Sequence, residues 1–150
     1  MVPAHLLTAI DHVGIAVPDL DEALRFYAET FGLHAVHEEV NEDQGVREAM
    51  LAIGDSDACI QLMAPLRADS PIGKFLARRG QGIQQLAYRV TDLEKVSAVL
   101  RDRGITLLYD EAHRGTANSL INFIHPKDAG GVLVELVEPN SEAQATEEKA

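Results

Sequence analysis

Near the start of the chain, the spacing of apolar residues changes from that of a strand to that of a helix. The apolar run IDHVGIAV, which ends at Val17, predicts a strand. After Asp19, apolar residues recur at the spacing of one helix face, at Leu20, Ala23, Leu24 and Tyr27. Because Asp is a favoured N-cap and Gly commonly follows the last helical turn, we expect the helix to begin after Asp19 and to end before Gly32.

The same arrangement recurs in the second half of the chain. The run IQQLAYRV predicts a strand, and Thr91 or Asp92 is the expected N-cap of a helix that ends before Gly104. The apolar face of this helix carries Leu93, Val96, Val99 and Leu100. Three more strand-like runs follow each helix, over residues 35–40, 46–53 and 58–64 in the first half and 105–109, 120–125 and 132–137 in the second. Each half therefore predicts the element order βαβββ.

The two halves are in register along almost their whole length, as expected of an internal repeat. Between them, Ser70 and Pro71 have the form of an N-cap followed by proline at the first helical position, which predicts a short connecting helix. The predicted organisation is a first module (residues 1–66), a connecting helix (67–81), a second module (82–139) and a flexible acidic tail (140–150). The predicted fold class is α+β, with one mixed sheet of eight strands.

Composition narrows the class of protein. With 150 residues, 46% hydrophobic and 25% charged, the chain has the profile of one compact soluble domain. Its formal net charge of −11 repels phosphate backbones and anionic headgroups, so we expect neither nucleic acid nor a membrane as partner. Cys59 is the only cysteine, which excludes an intramolecular disulfide. Since the N-terminus also lacks the pattern of a signal peptide, a cytoplasmic location is predicted.

Four residues with ligand chemistry occupy inward positions on the first and last strands of the two modules. Because strand side chains alternate between faces, His12 shares its face with Gly14 and Ala16, opposite an apolar set. By the same alternation, the side chains of Gln61, Gln85 and Glu135 also face inward, each opposite an apolar set. A single strand His or Gln is more often a core or solvent-facing residue than a ligand. Glu135 is different, because a carboxylate within the run GVLVELV is costly to bury unless it meets a cation or is protonated.

Several segments resemble the methylmalonyl-CoA epimerases of the vicinal oxygen chelate superfamily, namely IDHVGIAVPDLDEALRFYAETFGL, QGVREAM, CIQLMAPL, GIQQLAYRV, LLYDE and INFIHPKDAGGVLVELVEP. The resemblance runs from Ile10 to Pro139. It implies a cupped, partly open sheet around a metal site, with one divalent ion per chain (Co, Mn, Mg, Ni or Zn). By this resemblance, the metal ligands are His12, Gln61, Gln85 and Glu135.

Position 85 departs from the family pattern, which commonly has His where this chain has Gln85. A carboxamide oxygen is a harder donor than imidazole, so the site should lean toward oxygen-preferring ions and away from soft or late transition metals. The resemblance also assigns Glu48, in the motif Gln-Gly-Val-Arg-Glu, and Glu135 as the two catalytic carboxylates. Without the resemblance, Glu48 would be interpreted as a solvated strand residue.

The implied activity is inversion of the α-carbon of methylmalonyl-CoA, an isomerase reaction of propionate metabolism. Removing the α-proton of a thioester places negative charge on the thioester oxygen, which a divalent cation stabilises, and inversion needs a proton carrier on each face of the planar enolate. Methylmalonyl-CoA is the expected partner, and a homodimer is expected. Possible cationic partners of the CoA phosphates are Lys74, Arg78, Arg79, Arg114 and Lys127.

Two other classes of function stay open at this point. One is a glyoxalase-like isomerase or another metal-dependent enzyme of the same superfamily, although the Fe(II) dioxygenases use two His ligands and Gln85 counts against them. The other is a metal-free module that binds small molecules, because a fold alone does not determine function. A metal assay separates the second class from the enzymes.

Overall fold

A computed structural model gives the fold of residues 1–141. Of the predicted acidic tail (140–150), residues 142–150 lie outside the described residues. The chain divides into two compact units, which we call the central unit (His12–Gln85) and the terminal unit (Met1–Asp11 with the chain from Leu86 onward). No helix within residues 1–141 combines the length and the apolar composition that a membrane span requires.

Strands and helices alternate much as the sequence predicts. The strands are β1 (Leu7–Ala16), β2 (Ala35–Asn41), β3 (Val46–Ala52), β4 (Cys59–Pro65), β5 (Gly82–Val90), β6 (His113–Arg114), β7 (Leu120–Ile124) and β8 (Val134–Glu138). The α-helices are α1 (Leu20–Phe31), α2 (Pro71–Arg79) and α3 (Leu93–Asp102). All eight strands belong to one mixed sheet, which confirms the predicted α+β class.

The central unit contains the strand order β2-β3-β4-β1, in which β4 runs parallel to β1 and antiparallel to β3. Its helices begin at the predicted caps. The Asp19 carboxylate accepts a hydrogen bond from the Glu22 backbone N–H at 3.0 Å, and the Ser70 hydroxyl accepts one from Gly73 at 3.1 Å. Gly32 ends α1 with φ of 68°, a left-handed conformation that glycine adopts without strain. The core beneath α1 consists of Val17, Leu20, Ala49, Leu51, Leu62 and Ala64.

The terminal unit contains the strand order β5-β8-β7-β6, to which β5 contributes its residues from Leu86 onward, with β5 and β8 parallel and β7 antiparallel to both its neighbours. Of the two predicted caps for α3, Asp92 is the one that forms, because its carboxylate accepts from the Lys95 backbone N–H at 3.0 Å. The apolar face of α3 packs in a core whose buried members are Leu6, Val90, Leu93, Val96, Leu100, Val134 and Leu136.

The strand predicted over residues 105–109 is wrong. Within this stretch, Leu107 forms a single bridge to Ile124, and no strand develops. The side chain of Asn122 gives the physical reason, since its Oδ1 accepts from Tyr109 N at 3.1 Å and its Nδ2 donates to Tyr109 O at 3.0 Å. A carboxamide therefore satisfies both backbone groups of Tyr109 that a ladder would otherwise use. The short strand β6 takes the corresponding place in the βαβββ order.

Candidate active site

Four polar side chains are buried together on one face of the central unit. The exposed fractions are 2% for His12, 3% for Glu48, 3% for Gln61 and 5% for Gln85. Buried polar groups are costly unless they find hydrogen-bond partners, and these four find each other. This group, which we call the buried polar cluster, contains three of the four predicted metal ligands and one of the two predicted proton carriers.

Hydrogen bonds join the buried polar cluster into a continuous chain. Gln61 Nε2 donates to Glu48 Oε2 at 2.9 Å. Gln85 Nε2 donates to Gln61 Oε1 at 3.2 Å and lies 3.1 Å from His12 Nε2. An ionised carboxylate only accepts, so Glu48 fixes the orientation of the Gln61 carboxamide and directs its oxygen away from Glu48. An amide nitrogen only donates, so His12 Nε2 is the acceptor and the neutral ring carries its proton on Nδ1.

The alternation of strand side chains creates this cluster. On β1, His12, Gly14 and Ala16 are all buried, and Gly14 is the register partner of Gln61 on β4. On β3, Glu48 faces the cluster, whereas the preceding residue, Arg47, faces α1. There the Arg47 guanidinium hydrogen-bonds the Asp21 carboxylate at 2.8 Å, and this bond and the positive charge lower the pKa of Asp21.

The neighbouring residues Gln84 and Gln85 are also distinguished by this alternation. Gln85 lies against His12, on the inward face that strand alternation predicts for it. Gln84 takes no part in the hydrogen-bonded chain, and its buried Oε1 has no hydrogen-bond partner among the described residues. The structure therefore brings Gln85, and not Gln84, to the buried polar cluster.

The donor set fits a hard divalent cation. The lone pairs of His12 Nε2 and Gln61 Oε1 converge on one electropositive group, the amide nitrogen of Gln85. Turning the Gln85 carboxamide by about half a rotation puts its oxygen there instead, which gives one nitrogen and two oxygen donors. Within residues 1–141, no cluster of three or more His, Cys, Asp and Glu side chains is arranged to hold a metal. A metal at this cluster must therefore use the two carboxamides.

Glu135, the remaining predicted site residue, belongs to the terminal unit. It lies on β8, with Ala87 on β5 and Phe123 on β7 as its register partners. Its exposed fraction is 6%, in agreement with the buried position that the apolar sequence around it indicates. Its role as a metal ligand and proton carrier stays a prediction.

Two features of the buried polar cluster could not be predicted from the sequence. The hydrogen bond between Gln61 and Glu48 joins residues on neighbouring strands of the same module, and no sequence motif predicts it. Met63 packs beside Gly14 and Gln85, although the sequence indicates only that it shares the face of Gln61. The small size of Gly14 next to His12 is the one sequence signal that could have revealed this packing.

Comparison with known proteins places the chain in a family. Residues 11–123 match the model of the glyoxalase/bleomycin resistance protein/dioxygenase superfamily. The chain is similar to the crystal structure of methylmalonyl-CoA epimerase from Mycobacterium tuberculosis, with 59% identity, 97% of each chain covered and a TM-score of 0.90.

Two further structures are also similar. One is a variant of the Streptomyces coelicolor methylmalonyl-CoA epimerase in complex with 2-nitronate-propionyl-CoA, with 47% identity, 90% of this chain and 99% of that chain covered, and a TM-score of 0.87. The other is a methylmalonyl-CoA epimerase in complex with methylmalonyl-CoA and NH4+, with 48% identity, 90% and 96% covered, and a TM-score of 0.87. The resemblance detected in the sequence is confirmed, and the chain belongs to the glyoxalase/bleomycin resistance protein/dioxygenase superfamily and, within it, to the family of the methylmalonyl-CoA epimerases.

Proposed function

We propose that this chain interconverts the (2R) and (2S) epimers of methylmalonyl-CoA. The observation that carries the proposal is the 59% identity to an epimerase over 97% of both chains, together with a buried carboxylate, Glu48, hydrogen-bonded into the predicted ligand cluster. A similar epimerase binds methylmalonyl-CoA, which supports the same substrate here. The reaction class is that of an isomerase acting on an acyl-CoA thioester.

The chain's own residues supply positioning and proton transfer. His12, Gln61 and Gln85 would hold a divalent cation, with Glu135 as the predicted fourth ligand. When bound, such a cation would supply positive charge to stabilise the negative charge that develops on the thioester oxygen. Gln61 has a second role, because its Nε2 donates to Glu48 Oε2 and so orients the carboxylate that takes a proton from the α-carbon in this proposal.

Inversion requires a second proton carrier on the opposite face of the enolate. A proton removed and returned by the same group regenerates the starting epimer, whereas a proton supplied from the other face gives the product. Glu135 is the proposed second carrier, and its support is its buried position and the family resemblance. In this scheme, Glu48 and Glu135 exchange the roles of acid and base when the reaction runs in the reverse direction.

An assay of net inversion tests the proposed function. Each pure epimer of methylmalonyl-CoA is incubated with the purified protein, and the other epimer is measured on the intact thioester, because the two epimers are diastereomers of chiral CoA and hydrolysis would give achiral methylmalonic acid. We expect the same equilibrium mixture from both directions. Turnover of a hemithioacetal without inversion of methylmalonyl-CoA would favour the glyoxalase-like alternative, and no turnover of either substrate would favour a binding module.

The identity of the metal is tested at position 85. We expect Gln85→His to raise the affinity for Zn²⁺ relative to Mg²⁺ or Mn²⁺ by at least about tenfold, because an imidazole nitrogen replaces a carboxamide oxygen. Competition titrations of the purified variant measure this ratio. Gln84→His is the matched control, since Gln84 takes no part in the hydrogen-bonded chain. An unchanged ratio in Gln85→His would show that Gln85 does not bind the metal.

We also propose that the chain acts as a homodimer in the cytoplasm. The support for the location is its single cysteine, since an oxidising compartment favours disulfide-rich chains.

Apolar side chains exposed on the central unit, Phe26, Phe31 and Val36, offer surface that a second copy can cover. Sedimentation equilibrium should give twice the chain mass of 16.3 kDa, and a mass of one chain would contradict the dimer.

A further inference from the structure

Gly14 lies against the Gln85 side chain of the buried polar cluster but contributes no side chain to the cluster. It follows His12 by two residues on β1 and is the register partner of Gln61. A Cβ atom at this position would lie 2.5 Å from Gln85 Cγ, 3.0 Å from Gln85 Cδ and 2.8 Å from Met63 Cε. These separations are far shorter than the normal contact distance between carbon atoms. The space that any other residue would occupy is therefore filled by Gln85 and Met63.

The backbone does not require glycine at this position. Gly14 lies within a regular stretch of β1 that pairs with β4, and it is absent from the positive-φ residues of the described chain. Glycine weakens a strand interior because it has no side chain to pack and loses the most conformational freedom on folding. A glycine in a strand without a backbone reason often marks close approach by another group, and here that group is the Gln85 side chain.

We propose that Gly14 is a positioning residue, whose bare backbone lets the Gln85 carboxamide lie across β1 within hydrogen-bonding distance of His12 Nε2 and Gln61 Oε1. The aliphatic part of Gln85 passes over Gly14, so its head group reaches both acceptors at 3.1 and 3.2 Å. A methyl group at position 14 forces Gln85 Cγ to move by about 1 Å to regain normal contact. Because Cγ precedes the carboxamide, the head group moves with it.

The consequence for cation binding rests on the proposed function, in which Gln85 is a ligand. A ligand held within about half an ångström of its productive position binds a metal well, and displacement by a neighbouring methyl lowers affinity. Gly14 therefore acts through Gln85 and touches neither substrate nor metal. In contrast, the geometry of Gln85 in metal-free protein depends on Gly14 whether or not a metal ever binds.

Metal-free protein gives the first test. In a crystal structure of metal-free Gly14→Ala, we expect the Gln85 carboxamide to have left its position beside His12, with the Nε2 to Nε2 separation increased beyond the 3.1 Å of the wild type. The side-chain amide signal of Gln85 in ¹⁵N NMR spectra should shift as well. An unmoved Gln85 in both measurements would overturn the proposal. This readout stays valid even if the wild type binds no metal, so failure of the metal assignment is distinguishable from failure of this inference.

A double-mutant cycle gives the second test. Mn²⁺ affinity is measured for the wild type, Gly14→Ala, Gln85→Ala and the double variant. We expect Gly14→Ala to lower affinity by about 10- to 100-fold when Gln85 is present. In the Gln85→Ala background, the same substitution should change affinity by less than about twofold, because the residue that it displaces is gone. Equal losses in both backgrounds, or no loss in either, would overturn the proposal.

The double-mutant cycle remains informative if the Gly14→Ala protein fails to fold. If the double variant then folds, the collision with Gln85 is the cause, which supports the proposal. If the double variant fails as well, the collision with Met63 or the backbone dominates, and the positioning role is refuted. Circular dichroism and thermal melting of all four proteins distinguish these outcomes.

Discussion

Replacing Glu48 with Gln is expected to lower net epimerisation of methylmalonyl-CoA by about 10²- to 10⁴-fold, the usual contribution of a general acid–base group. The variant keeps the shape of the side chain, and its carboxamide oxygen can still accept the hydrogen bond that Gln61 Nε2 now donates to Glu48 at 2.9 Å. It cannot accept a proton. Metal and substrate should therefore bind as in the wild type while inversion collapses.

In Glu48→Gln, deuterium uptake and net inversion should be affected differently. Deuterium uptake from one pure epimer is expected to survive, because Glu135, the proposed second carrier, would still remove and return a proton on its own face. Uptake from the other epimer should be lost with net inversion. The matched control is Glu38→Gln, which removes an exposed carboxylate on the neighbouring strand β2. Inversion by Glu48→Gln near the wild-type rate would refute the two-carrier scheme.

Replacing His12 with Ala is expected to lower the affinity for Mn²⁺ by at least about 100-fold, because a direct ligand has a larger effect than the groups that orient ligands. Gln85 and Gln61 can still bond each other in this variant, so the fold should persist. Isothermal titration in ammonium-free buffer measures the affinity, since NH4+ accompanies the substrate in the complex of a similar epimerase. His34→Ala, an exposed residue of the same unit, is the control.

Chelation provides an independent check on His12. A metal that binds only the folded protein stabilises it by about 2.7 kcal/mol at a concentration 100 times the dissociation constant, so chelation should lower the melting temperature of the wild type. The melting temperature of His12→Ala should not respond to the chelator. Unchanged Mn²⁺ affinity in His12→Ala, or an equal response of both proteins to chelation, would contradict the assignment of His12.

Most of the fold could be predicted because its signals are local. Caps at Asp19, Ser70 and Asp92 each satisfy a backbone N–H within three residues, so the helix starts follow from short sequence patterns. Strand alternation likewise predicts that His12 and Gln85 face inward. The stretch 105–109 was misassigned because its partner is a side chain, Asn122, which is distant in sequence, and apolar alternation carries no information about such a contact.

The candidate site was less predictable, because its geometry depends on contacts between strands. Strand alternation indicates that Gln61 faces inward, whereas only the family resemblance indicates this for Glu48, and the 2.9 Å between their side chains depends on the register of β3 against β4. Their role as ligand and proton carrier came from the family resemblance. The significance of Gly14 depends on where the Gln85 side chain passes, which no periodic pattern encodes.

Hydrogen exchange at the α-carbon of methylmalonyl-CoA in heavy water tests the central claim most directly. The substrate is incubated with the protein as purified, after exhaustive chelation, and after Mn²⁺ is restored, and deuterium at the α-carbon is measured by mass spectrometry. We predict uptake with the purified protein, loss of uptake on chelation and recovery with Mn²⁺, because the enolate needs the cation that His12, Gln61 and Gln85 would hold. No uptake under any condition would contradict the epimerase, and uptake insensitive to chelation would contradict the role of the metal.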